Sequence, residues 1–132
     1  MTYQAKHISV SIQRPSQEVY EFTSNPENLH MWAAGLSDAK VTKSDDTWVA
    51  ESPMGIVRIK FADRNRFGVM DHDVTLPNGE TNHNPFRVIK NSDGSEVMFT
   101  LYRLPRMSDE DFKNDANQIM ADLAKLKSIL ER

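Results

Sequence analysis

The sequence has 132 residues, of which 39% are hydrophobic and 27% are charged, and its formal net charge is −3. A chain of this length can bury a sufficient core, so residues 1–132 are expected to form a single domain. The absence of cysteine excludes disulfides, thiolate metal sites and a cysteine nucleophile. The basic residues are scattered along the sequence, so they do not indicate a nucleic-acid-binding surface. No apolar stretch approaches the roughly 20 residues that are needed to span a bilayer. Since the first residues do not resemble a secretory signal, a cytoplasmic location is expected.

The chain opens with a predicted strand followed by two short helices. Apolar and polar residues alternate over 7–13, which is the period of a strand with one buried face. Pro15 ends that strand, and the apolar spacing over 16–24 favours a short helix. Asn25 and Pro26 are a good N-cap and first-turn pair, so a second short helix is predicted to end near Gly35.

The middle of the chain consists of strand-like runs separated by short turn signals. Short connections favour sequential hairpins, and therefore an antiparallel meander without a crossover helix. Together with the first strand, these runs predict a seven-stranded sheet. The six runs cover residues 39–43, 47–52, 56–64, 67–76, 81–90 and 96–104.

A long amphipathic helix is predicted after Pro105. Ser108 is a suitable N-cap, and the acidic residues 109–111 occupy the first turn, where the helix dipole favours negative charge. The apolar stripe of this helix can only be buried on the concave face of the sheet, which predicts an α+β helix-grip fold. The stripe comprises Phe112, Ala116, Ile119, Met120, Leu123, Leu126 and Leu130.

The turn chemistry at residues 76–80 fixes the register of one hairpin. Pro-Asn-Gly fits a three-residue loop with glycine in the left-handed position, which places Leu76 opposite Glu80. Counting back puts two polar residues, His72 and Asn84, opposite each other on the apolar inner face. The same count pairs Val74 with Asn82 and Met70 with Phe86 on the inner face, and directs Asp71 and Asp73 outward, with Asp73 opposite His83.

The register of the following hairpin has two solutions. A two-residue turn at Asp93-Gly94 directs Val97, Phe99 and Leu101 inward, and hydrophobicity favours this solution. A bulged loop would instead direct Met98, Thr100 and Tyr102 inward, because a slip of one residue reverses every side chain.

Several local motifs resemble the START-like superfamily, also called the SRPBCC or birch-pollen-allergen-like fold, and in particular its polyketide cyclase/dehydrase branch. The resemblance is carried by residues 14–22, by 24–29 together with Trp32, and by the closing helix at 122–127. Residues 71–77, 87–88 and 94–101 are similar to a narrower, uncharacterised bacterial subgroup.

This resemblance implies a cavity between the sheet and the last helix, although the superfamily includes carriers, cyclases and chaperone activators. The expected occupant is a small hydrophobic or aromatic molecule such as a lipid, and the protein is expected to be a monomer or homodimer. The predicted ligand-binding residues are Met70, His72, Asn84, Phe86, Phe99, Met120, Leu123 and Trp32, with Ile119 also expected to line the cavity.

His72 is the candidate catalytic residue, because an imidazole in an apolar cavity can act as a proton donor or acceptor near neutral pH. The alternative is a structural hydrogen bond to Asn84 or to a buried water. Asp71, His72 and Asp73 do not predict a metal site, since successive side chains of a strand point to opposite faces, and no cofactor is expected. Three functions remain open: ligand binding, a cyclase or dehydratase-like activity through His72, and a protein-interaction domain with a packed core.

Overall fold

Eight strands, all paired antiparallel, form the sheets of the computed structural model, which describes residues 1–53 and 55–132. The strands within the described residues are β1 Ala5–Ile12, β2 Lys40–Ser44, β3 Thr47–Ser52, β4 Gly55–Phe61, β5 His72–Thr75, β6 Thr81–Asn84, β7 Phe86–Asn91 and β8 Gly94–Tyr102. They form a three-stranded sheet in the order β1-β8-β7 and a five-stranded sheet in the order β2-β3-β4-β5-β6. The α+β architecture is confirmed, whereas the expected seven-stranded sheet is wrong.

Two short helices follow β1, and a long helix closes the chain. They are α1 Ser16–Thr23, α2 Leu29–Trp32, which lies between 3-10 turns at Pro26–Asn28 and Ala34–Leu36, and α3 Asp109–Leu130. The Asn25 side chain accepts the Glu27 N–H at 3.1 Å, as its predicted N-cap role requires. Ser108 and Asp111 form a reciprocal capping box at the start of α3. Among the described residues, none of these helices has the length and apolar character needed to cross a membrane.

Pro85 accounts for the division into two sheets. Proline has no N–H to donate to a ladder, so the run predicted over 81–90 breaks into β6 and β7. The Phe86 N–H at the break donates to Asp71 Oδ1 at 2.8 Å. Arg87 donates to both oxygens of the same carboxylate, at 2.9 and 2.8 Å, and this hydrogen bonding lowers the pKa of Asp71. Asp71 therefore holds the junction between the two sheets.

The connection between β4 and β5 is a loop rather than a continuation of the two strands. The sequence predicted strands over 56–64 and 67–76, but the loop occupies residues 62–71. Asn65 is the physical reason, because its side-chain oxygen accepts the N–H groups of Phe67 and Val69 at 2.9 and 3.1 Å. Its amide nitrogen also donates to the Asp63 and Val69 carbonyls, at 2.9 Å each. Such local bonds compete with ladder pairing.

The β5–β6 hairpin has the predicted register. His72 pairs with Asn84, and the Leu76 N–H donates to the Glu80 carbonyl at 2.8 Å. Gly79 has φ +90°, the left-handed conformation that the loop requires. On the outer face, His83 Nδ1 lies 2.7 Å from Asp73 Oδ1. The predicted facing of this hairpin is confirmed.

The β7–β8 hairpin confirms the favoured side-chain facing, although its turn is displaced by one residue. Asn91 pairs with Gly94, so the turn contains Ser92 and Asp93 rather than Asp93 and Gly94. Moving a turn by one residue shifts the pairing by two, which leaves each side chain on its original face. Val97 and Leu101 are consequently buried, and Phe99 packs against the core.

Helix α3 packs its apolar stripe into the main core. The buried helix residues Ala116, Leu123, Leu126 and Leu130 share one cluster with Ile8, Ile12 and Val97 of the three-stranded sheet. Met120 was predicted to face inward, but 51% of it is exposed. At about 100° per residue, Met120 lies about 80° from the middle of the stripe, whereas Ile119 lies close to it.

Candidate functional site

His72 lies within a group of four larger aromatic side chains. Its ring centroid is 5.0 Å from that of Phe61, its pairing partner on β4. The Phe86 and Phe99 centroids lie 5.8 and 6.0 Å from it, in edge-on arrangements. Trp32 on α2 adds a further ring 5.9 Å from Phe86. We refer to these five residues as the aromatic cluster.

The surroundings of His72 define its proton state. Burial lowers the pKa of His72, which favours the neutral imidazole near neutral pH. Nδ1 lies 3.1 Å from the Met70 carbonyl oxygen, which can only accept, so Nδ1 carries the proton in the neutral ring. The Nε2 atom then retains its lone pair and faces Asn84 Nδ2 at 3.5 Å, a long contact. His72 therefore presents a hydrogen-bond acceptor towards Asn84.

The lowered pKa of His72 makes a measurable contribution to pH-dependent stability. Below the unfolded pKa of about 6.5, the unfolded chain binds more protons than the folded one, so stability falls as pH falls until the folded pKa is passed. We expect His72→Gln to reduce this slope, by at most about 1.4 kcal/mol per pH unit. Urea denaturation of both proteins at a series of pH values below 7 measures the difference. Identical slopes would contradict the buried neutral imidazole.

An open groove of about 810 Å³ lies between β6, the end of β8 and the start of α3. It lies beside the division at Pro85, where β6 remains with β5 and β7 pairs with β8. Asn84 belongs to its wall, so the groove adjoins the side chain that contacts His72. The residues that line the groove are Met1, Thr2, Tyr3, Leu76, Thr81, Asn82, His83, Asn84, Leu101, Tyr102, Leu104, Arg106, Met107, Asp111 and Asp115.

The groove combines apolar side chains with polar and charged ones. Leu76, Leu101, Leu104 and Met107 provide apolar surface, and two amides, Asn82 and Asn84, come from the inner face of β6. Small-molecule sites usually have mainly apolar walls with a few polar groups, and this groove is more polar than that.

Charged side chains of opposite sign also line the groove. Arg106 Nε donates to Glu80 Oε1 at 3.1 Å, which ties the segment before α3 to the β5–β6 loop. Burial, followed by repulsion from Asp111, raises the pKa of Asp115. The groove is therefore not uniformly charged, and its chemistry suits a neutral or weakly polar molecule better than a strongly charged one.

The structure distributes the predicted ligand-binding residues between the core, the surface and the groove. Met70, Phe86 and Leu123 are at most 2% exposed and belong to the core. Trp32 is 8% exposed, and within the described residues its indole N–H has no hydrogen-bond partner. Phe99 and His72 belong to the aromatic cluster, Met120 and Ile119 lie on α3 outside the groove lining, and Asn84 is in the groove wall. Whether these residues bind a ligand stays a prediction.

The sequence interpretation missed most of the groove. Leu104, Arg106 and Met107 lie between β8 and α3, in a segment whose sequence has no helix or strand periodicity. One signal was available in β6. Asn82 and Asn84 both face the inner side of a sheet that is otherwise apolar there, and inward amides next to Pro85 indicate a gap in the packing.

No family model and no curated protein matches the sequence, but solved structures match nearly all of its length. The Aha1 dimer from Colwellia psychrerythraea is 13% identical, with a TM-score of 0.76, and 97% of this chain and 96% of that chain are covered. DynU16, from the dynemicin biosynthetic locus, is 11% identical with a TM-score of 0.74, covering 96% of this chain and 47% of that chain. Ara h 8.0201 is 8% identical with a TM-score of 0.66, covering 96% and 97%. At these identities the likeness establishes the fold alone.

Proposed function

We propose that this START-like helix-grip domain binds a small apolar or aromatic molecule that carries at least one polar atom. The observation that carries the proposal is the groove of about 810 Å³ with Asn84 in its wall. Asn84 in turn contacts the acceptor nitrogen of His72, at 3.5 Å. A ligand lying along the apolar wall could therefore place a polar atom at Asn84.

The indole N–H of Trp32, which has no hydrogen-bond partner among the residues that the structure describes, supports a ligand with a polar atom. A buried donor without a partner costs about 1–3 kcal/mol, and a ligand oxygen that reached it would offset that cost. Trp32 contacts Phe86, whose ring also contacts His72, so the unpaired donor belongs to the same aromatic cluster. Trp32 does not line the groove, so a ligand in the groove would have to extend into the cluster to reach this donor.

We expect 2-naphthol to bind in the groove and Asn82→Trp to weaken that binding by about tenfold or more, because the indole would fill the space between β6 and α3. A suitable control is Thr42→Trp, which adds the same side chain at an exposed position on β2. Fluorescence titration of the two variants and the native protein measures the effect. 2-Methylnaphthalene, which lacks the hydroxyl group, is expected to bind more weakly to the native protein.

Two results would contradict the proposal. Equal loss of 2-naphthol binding in Thr42→Trp and Asn82→Trp would show that the groove is not the binding site. Amide chemical-shift changes that avoid residues 81–84 and 101–107 on addition of 2-naphthol would lead to the same conclusion.

A cyclase or dehydratase-like activity is the second candidate, and the neutral His72 favours it. An imidazole whose Nε2 retains a lone pair can remove a proton from a substrate held at Asn84. The His72→Gln variant keeps a hydrogen-bonding side chain but cannot transfer a proton. If His72 is catalytic, this variant should lose turnover while still binding the substrate.

A protein-interaction domain with a packed core is the third candidate. Met70, Phe86 and Leu123 are buried in the core, which supports this candidate. We expect a monomer or homodimer in each case, and one structural neighbour, Aha1, is described as a dimer.

A further inference from the structure

Phe67 is a large aromatic side chain held at the surface. It is 73% exposed and lies at the tip of the loop between β4 and β5. A single exposed aromatic residue is not unusual in itself, so the residues around Phe67 decide whether it belongs to an interaction surface.

The loop that carries Phe67 is rigidly built. Asn65 makes four side-chain hydrogen bonds to backbone groups of the loop, including the Phe67 N–H at 2.9 Å. The Asn65 N–H also donates to the hydroxyl of the buried Tyr20 at 3.0 Å. Gly68 brings the loop against β7, where the Val88 N–H donates to the Gly68 carbonyl at 2.9 Å. Phe67 is therefore presented without the entropy cost of ordering a flexible loop.

A second exposed apolar residue and a shallow hollow lie beside Phe67. Ile89 on β7 is 49% exposed and lines the same hollow of about 260 Å³. Tyr20, Gly68 and Val88 also line it. This volume is small compared with ligand pockets of about 300–1,000 Å³, and it fits one inserted side chain.

The rim of the hollow is basic. The Arg66 guanidinium lies 5.6 Å from the centroid of the Phe67 ring, and Lys90 follows Ile89 on β7. Within the described residues, neither Arg66 nor Lys90 forms an ion pair. No acidic residue of the described part of the chain lines the hollow.

Two carboxylates on neighbouring elements are paired with other cations. Glu21 on α1 is paired with Arg64, and Asp71 with Arg87. Glu96, which pairs with Ile89 across β7 and β8, accepts hydrogen bonds from Ser11 and Asn91 and forms no ion pair with either rim cation. Within the described residues the two rim cations therefore have no ion-pair partner, although the overall net charge is −3.

We propose that this Phe67 surface, formed by Arg66, Phe67, Ile89 and Lys90 around the hollow, docks an acidic segment of a partner protein that inserts one apolar side chain between Phe67 and Ile89. An aromatic anchor combined with an arginine is the composition of an interface hot spot. The basic rim complements carboxylates on either side of the inserted residue. The size of the hollow, about 260 Å³, suits a single inserted side chain.

The Phe67 surface is separate from the groove, because the two share no lining residue. Binding at one can therefore be tested without disturbing the other.

The test uses fluorescein-labelled synthetic octapeptides, each with one Leu, Phe or Trp surrounded by Asp and Glu, titrated against the full chain by fluorescence anisotropy. We expect at least one to bind, and Phe67→Ser to weaken it by about tenfold or more. The double variant Arg66→Glu, Lys90→Glu should weaken peptide binding at least as much, and the remaining binding should no longer depend on salt concentration. Ile56→Ser is the matched control, because Ile56 is 51% exposed but lies outside the surface; this variant should bind as the native protein does.

Amide chemical shifts should change at residues 65–68 and 88–90 when the peptide is added. Failure of every acidic peptide to bind would overturn the proposal, as would binding that is equal in Phe67→Ser and the native protein. Vesicles of phosphatidylcholine and phosphatidylserine in equal parts form a separate arm. Phe67-dependent binding to the vesicles without binding to any peptide would assign the surface to a membrane and would also overturn the proposal.

Discussion

Gly68→Ala is expected to destabilise the protein by about 2–5 kcal/mol. Gly68 has φ +72°, a left-handed conformation that costs a residue with a Cβ about 1–2 kcal/mol. A Cβ at this position would also lie 2.2 Å from the Val88 carbonyl oxygen, so the backbone must move. Overpacking of this kind adds about 1–3 kcal/mol. Urea denaturation followed by circular dichroism measures the loss of unfolding free energy.

Gly79→Ala separates the two causes. Gly79 also has a positive φ, of +90°, but a Cβ there would meet no atom within 4 Å. We therefore expect Gly79→Ala to lose only about 1–2 kcal/mol, the conformational part of the effect. If the two variants lost the same free energy, the close approach of residue 68 to β7 would be disproved.

Phe86→Ala is expected to lose about 3–5 kcal/mol, which is a large part of the total stability of an ordinary domain. Phe86 is fully buried, and its ring contacts those of Trp32, His72 and Phe99 at centroid distances of 5.9, 5.8 and 5.4 Å. Truncation would remove these contacts and leave a cavity in the aromatic cluster. Chemical denaturation of the purified variant gives the change in free energy.

Phe67→Ala provides a control with the same change in side chain. Because Phe67 is 73% exposed, its truncation should alter stability by no more than about 0.5 kcal/mol. A loss below about 2 kcal/mol for Phe86→Ala would indicate a loosely packed cluster and would weaken the packed-core candidate for the function.

Local chemistry explains which parts of the structure could be predicted. Pro-Asn-Gly at 77–79 selects one loop type, and the loop fixes the pairing, so the facing of His72 and Asn84 followed from the sequence. The caps at Asn25 and Ser108 are likewise local, since each side chain bonds to its own helix.

The remaining features depend on contacts between distant segments. Alternation over 81–90 continues through Pro85, and the break is stabilised by the distant Asp71 side chain, which receives the next N–H. The groove beside this break involves β6, the end of β8 and the start of α3, which no local pattern relates to one another. The aromatic cluster joins α2 to β7 through Trp32 and Phe86 in the same way.

The pairing of β1 with β8 has a consequence for synthesis of the chain. β1 is made before the other strands, yet its only ladder among the described residues joins Ala5 to Tyr102 at one end and Ile12 to Ser95 at the other. Lys127 of α3 donates to the Ser11 carbonyl, so the last helix also reaches back to this strand. Pairing between such distant segments places folding in the slow range of about milliseconds to seconds. A nascent chain that ends before Gly94 therefore carries Ile8 and Ile12 on an unpaired strand, exposed to aggregation until β8 emerges.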